Sequence, residues 1–141
     1  MKDKPKKPNV VSHEMAELEV NSWLDSKRIF DSQREGYKEQ IDYMIEAIVR
    51  GNLSLDEATN VFTQKLEWPI EHDGETVEKL SYKPRINDTM LKPYMNGVKP
   101  TDVNAFQIAY LACITGRNKT IVSSMDSIDK KLASSIVVFF V

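Results

Sequence analysis

The chain has little of what most catalytic and metal sites are built from. One cysteine, Cys113, occurs in 141 residues, so no disulfide can close within the chain and no thiolate cluster can hold a metal. It sits in the run Ile108-Ala109-Tyr110-Leu111-Ala112-Cys113-Ile114, a context that predicts a buried, inert thiol. Only His13 and His72 are present, and neither has a second histidine or a cysteine at ligand spacing. The five glycines are scattered singly, which excludes a glycine-rich phosphate loop. The longest wholly apolar run, Ile136 to Val141, falls far short of the roughly 20 residues that span a bilayer, so no membrane segment is expected. A net charge of -2 gives no general attraction to polyanions, and no basic stripe for nucleic acid is visible beyond the N-terminus.

What is present is an ordinary globular composition, 41% apolar and 28% charged, of about one domain's length. Met1 to Asn9 carries four lysines and two prolines with no apolar segment after it, so a flexible basic tail over residues 1–11 is expected and a signal peptide is not. Residues 12–65 read as helical. Ser12 can cap a first helix in which Met15, Leu18 and Trp23 recur at helical spacing. A second helix is expected over roughly Ser32 to Arg50, with the stripe Tyr37, Ile41, Met44, Ile45 and Ile48 and an i,i+4 pair of Glu46 with Arg50. Gly51-Asn52 ends it. The box Ser54-Leu55-Asp56-Glu57 predicts a third helix with Leu55, Ala58, Phe62 and Leu66 on one side.

The pattern changes after Leu66. Leu66, Trp68 and Ile70 alternate, Asp73-Gly74 is a dipeptide favoured in two-residue type I′ turns, and Thr76 to Tyr82 reads as the returning strand. Pairing across that turn sets Ile70 opposite Val77 but throws Leu80 and Tyr82 onto the other face, so a bulge is expected. Beyond Pro84, Asn87 or Asp88 can cap a short helix that Pro93 breaks, and Thr101 or Asp102 opens a helix over Val103 to Thr115 that is apolar nearly all round. A last segment starts near Asp129. Leu132, Ile136, Phe139 and Phe140 form a stripe there, yet Val137, Val138 and Val141 are apolar too. The segment is therefore partly a strand, extra core, or a contact with another chain. The fold class expected is α+β, mostly α: a helical N-terminal segment, then a small domain with one hairpin and three to four helices.

Nothing in the pattern points to catalysis. Glu71, Asp73 and Glu75 flank an exposed turn, and Ser123, Ser124, Ser134 and Ser135 stand in no nucleophile-elbow context. A non-enzyme without cofactor or metal is expected.

Residues 66–141 carry three blocks in a telling order. These are Pro69-Ile70 with Asp73-Gly74-Glu75-Thr76-Val77-Glu78-Lys79-Leu80 and Lys83-Pro84-Arg85; then Ala109 to Gly116, ending Ile-Thr-Gly; then Met125-Asp126-Ser127-Ile128-Asp129 before an apolar end at Phe139-Phe140. This half resembles the Mu-like bacteriophage tail assembly protein family, whereas residues 12–65 have no recognised counterpart in it. The resemblance implies a tail assembly chaperone of the host cell cytoplasm. Such a protein binds the tape measure protein, with the tail tube protein as a second candidate partner, and uses no nucleic acid or membrane. The alternative it leaves is a small structural subunit kept in the tail or baseplate. Self-association is also open, given the apolar excess. A tape measure exposes apolar stripes until the tube encloses it, so its chaperone needs an apolar contact surface. The candidates are Ile136, Phe139 and Phe140 at the C-terminus and Ile41, Met44, Ile45 and Ile48 on the second helix.

Overall fold

A computed structural model describes residues 11–141, so the expected basic tail lies outside the described residues except for Val11. The fold is α+β and mostly α, as the pattern predicts, with one three-stranded antiparallel sheet. Helix α1 spans His13–Ser26 and starts where expected, the Ser12 hydroxyl accepting from the Met15 amide at 3.2 Å. The face it buries is Ala16, Val20, Trp23 and Leu24, while Met15 and Leu18 point outward. It ends in a Schellman turn. Arg28, at φ 57, sits in the left-handed position, and the Ile29 amide reaches back to the Leu24 carbonyl.

The helix expected over 32–50 is two helices, α2 at Asp31–Gly36 and α3 at Lys38–Val49. Gly36, the weakest helix former in the segment, precedes the break. Tyr37 there leaves helical geometry (φ -113, ψ 29) and turns its ring onto Phe139. Arg34 meanwhile ties α2 back to the end of α1 through the Ile29 carbonyl and the Asp25 carboxylate. The Glu46–Arg50 pair forms at 2.8 Å, and Gly51, at φ 83, closes α3.

The third helix expected from Ser54 is not there, and the segment 12–65 is accordingly not helical throughout. Strand β1 spans Leu53–Asp56, and β2 begins at Val61 and runs to His72, so Leu66 lies inside a strand that joins both parts of the chain. Asp56, read as part of a capping box, makes an Asx turn instead: its carboxylate accepts from the Ala58 amide at 3.0 Å, and Asn60 reverses the chain at φ 57. Leu55, Phe62 and Leu66 satisfy a helical spacing by coincidence. Along β2 the buried positions alternate through a polar one, Phe62, Gln64 and Leu66.

Strand β3, Glu75–Tyr82, returns from the Asp73-Gly74 turn, where both residues have positive φ as a type I′ turn requires. The bulge is also there. Ile70 pairs with Val77 and Lys65 with Lys79, so four residues of β2 (66 to 69) oppose the single Glu78. That excess brings Ile70, Val77, Leu80 and Tyr82 to one buried face. It also places Pro69, which has no amide to pair, in the irregular stretch.

The remaining chain covers that face. Helix α4 (Asp88–Leu91), capped by Asn87, runs into a 3-10 turn, Lys92–Met95. Helix α5 (Val103–Thr115), capped by Asp102, stops at Gly116 with φ 67. Its last turns are buried, but Val103 at its start is exposed, so the helix is only half enclosed. Lys83 secures that end twice: its amide donates to the Ile114 carbonyl at 2.9 Å and its ammonium to the Cys113 carbonyl at 2.8 Å. Short α6 (Lys119–Ser123) leads to α7 (Ser127–Val137). The C-terminal stretch is thus helix and turn, with no strand. At the centre Trp23 meets Phe62 at 4.9 Å, Phe139 edge-on at 5.8 Å and Phe140 at 6.0 Å, which joins α1, the sheet and the C-terminus in one core.

Candidate functional site

The seven residues expected to form a contact surface are brought together, but as interior. Helix α3 packs on α7, and Met44, Ile45, Ile48, Ile136 and Phe139 are buried, Met44 and Ile136 completely. Ile41 and Phe140 are half-buried and pack on the same cluster. Of the three readings of the C-terminal stripe, extra core is the one the packing supports. As folded, the five buried side chains have almost no surface to offer a client.

The exposed apolar groups lie elsewhere, and two of them flank one device. Strand β2 bulges at residues 66–69, and such a bulge leaves backbone amides without ladder partners. Asp129, in the first turn of α7, takes two of them. One carboxylate oxygen accepts from the Glu67 amide at 2.9 Å and the other from the Trp68 amide at 3.0 Å. The Asp129 carbonyl accepts from the Gln64 side chain at 2.9 Å, and the Gln64 oxygen receives the Tyr82 hydroxyl. All three side chains are buried. Burial, with the nearby Asp129 charge as a lesser cause, pushes the Tyr82 phenol far above its usual range, so this proton stays on the ring. The network is structural: it spends both Asp129 oxygens on fixed amides and leaves no carboxylate free for proton transfer.

The consequence of the clamp is to hold Trp68 out of the sheet with half its surface exposed, while Ile128, next to Asp129, is 55% exposed. Between α3 and α7 a hollow of about 320 Å³ opens beside Ile128. Tyr43, Ala47, Ile128 and Leu132 give it apolar walls, and Glu46, Glu67, Asn52 and Arg50 form its polar margin. Glu67 is held by the Asn52 amide at 2.9 Å and Glu46 by Arg50. The exposed Ile128 beside this hollow, and the exposed indole on the strand that Asp129 fastens to the same helix, are of the residue types enriched in protein contacts.

Pattern reading missed this site because Trp68 alternates properly with Leu66 and Ile70 and so passes for an ordinary strand residue. The available signal was Pro69, since a proline inside a strand marks a bulge or an edge. Asp129 gave no such sign; a single acid in the first turn of a helix is usually there for the helix dipole.

Elsewhere the histidines and the cysteine stand apart from one another. His13 neighbours Glu17 on α1, and His72 neighbours Asp73 at the hairpin turn. Cys113 is buried, and its thiol is raised by that burial against the opposing effect of Lys83. Among the described residues no group of three His, Cys, Asp or Glu could hold a metal ion, and no helix is long and apolar enough to cross a membrane. No protein-family model matches the chain, and no match is found among curated proteins or solved structures.

Proposed function

We propose that this chain is a non-catalytic tail assembly chaperone of a Mu-like phage, acting in the host cytoplasm to hold the tape measure protein before the tail tube closes round it. The family part of this reading rests on the ordered blocks over residues 66–141. The observation that carries the binding part is the Asp129 clamp, which joins the strand bearing the exposed Trp68 to the helix start bearing the exposed Ile128, the latter on the wall of the hollow. A helical client with an apolar stripe would lay that stripe over Trp68 and Ile128.

Co-expression with the tape measure protein of the same genome tests this directly. The expected result is that the two co-purify and the client becomes soluble, and that Trp68→Asp with Ile128→Asp abolishes this while leaving the far-ultraviolet circular dichroism unchanged. A client that stays insoluble and unbound would remove the chaperone reading. Stoichiometric presence of the chain in purified virions, read by mass spectrometry, would favour a structural subunit of the tail or baseplate instead.

A further inference from the structure

On another part of the molecule two cations share a small cavity without an acid to answer them. Lys27, at the end of α1, is half-buried. Its ammonium donates to the Pro84 carbonyl at 3.0 Å and stands 3.6 Å from the centre of the Phe140 ring. Arg85 follows Pro84 in the chain and lines the same cavity, of about 130 Å³, with Ile86, Phe139 and Phe140. Lys83 fixes the position of this segment by fastening it to the end of α5. Arg85 has no ion pair or hydrogen bond among the described residues, and no described carboxylate lies within ion-pair distance of Lys27. The Lys27 ammonium is lowered to about 8, by burial first and by the Arg85 charge second. Both causes describe a half-enclosed site with an excess of positive charge.

We infer that the cavity between Lys27 and Arg85 is a binding pocket for a carboxylate carried on an apolar body, of the kind found at the C-terminal residue of a peptide. Charge selects the anion: a carboxylate there would meet one ammonium and one guanidinium and could accept from both. The remaining walls select what it is attached to, because Ile86, Phe139 and Phe140 offer only apolar contact. Size limits the ligand further. At about 30 Å³ per water-sized group the cavity takes a carboxylate and a few carbons, too little for a nucleotide. Binding would also relieve the repulsion between the two cations, so the occupied protein should hold the Lys27 proton more tightly than the free one.

The test is an NMR titration of the full chain with isobutyrate, which fits the cavity, with isobutyramide and inorganic phosphate as comparisons. The carboxylate is expected to shift Arg85, Ile86 and Phe140 in a saturable way and to raise the Lys27 ammonium. The amide is expected to bind about tenfold more weakly or not at all, and Arg85→Gln to weaken the carboxylate by a similar factor, since each removes a charge-assisted hydrogen bond. Arg85 holds nothing else in place, so this variant should keep its other resonances unmoved. Equal binding of acid and amide would overturn the inference, as would an Arg85→Gln protein that binds normally, or a carboxylate that causes no shift at these residues. Phosphate displacing the carboxylate at equal concentration would make the pocket a general oxyanion site and overturn its assignment to an apolar carboxylate.

Discussion

Asp129 lies more than sixty positions after Trp68, yet its carboxylate holds the Trp68 amide at 3.0 Å and the Glu67 amide at 2.9 Å. One side chain thus completes the hydrogen bonding of a bulged strand that belongs to a distant part of the sequence. Asp129→Ala leaves both amides without partners, and each buried loss costs about 1–3 kcal/mol. A destabilisation of about 3 kcal/mol is expected in urea unfolding. Asp129→Asn should cost less in stability, because one oxygen remains to accept.

The Phe139 ring is packed edge-on to Trp23 at 5.8 Å and to Tyr37 at 5.5 Å. Phe139→Asp is therefore expected to unfold the protein or cost about 4 kcal/mol or more, through a cavity and a buried charge together. Ile128→Asp at an exposed position should stay within about 0.5 kcal/mol of the parent. Thermal melts of the two variants check this difference between a core position and the proposed contact surface.

Lys27 makes stability depend on pH. The unfolded chain keeps this proton up to about 10.5, whereas the folded protein releases it near 8. Between those values the unfolded state binds more protons, so this group makes stability rise with pH, and below 8 its charged form works against folding. Lys27→Met should remove the rise. The difference between parent and variant unfolding free energies, measured from pH 7 to pH 10.5, is expected to shift steadily in favour of the parent.

Arg28 occupies a left-handed position at φ 57, where a side chain is strained and glycine is not. It is exposed and lies just past the end of α1. Arg28→Gly should stabilise the protein by about 1 kcal/mol. Gly51→Ala, at φ 83, should move the melting temperature the other way.

The parts of the fold that could be read in advance are those where a local rule and the tertiary environment agree. Ser12 caps α1 and Gly51 ends α3, and Asp73-Gly74 turns the hairpin, because each answers a need of its own few residues. The bulge was legible too, since the faces of Ile70, Val77, Leu80 and Tyr82 could not otherwise be reconciled. The hairpin at Asp56 to Val61 was not, because Leu55, Phe62 and Leu66 fit two periods and only the burial of Gln64 against Tyr82 and Asp129 decides between them. The proposed contact site fared the same way. An apolar stripe on a helix says that something covers it, and here α3 and α7 cover one another. The exposed indole owes its position to Asp129, a partner that no local pattern announces.

Strand β2 is the middle of the sheet, with β1 and β3 on its two sides and α7 across its bulge. The two halves of the chain, although their sequences look unlike, share one sheet and should therefore unfold as one cooperative unit. A fragment beginning at Leu66 would lack Trp23 and Gln64, the residues on which Phe139 and Tyr82 rest, and should not hold a fold alone. In the intact chain, amide exchange at Ile45 and at Leu132 should report the same opening free energy, that of global unfolding.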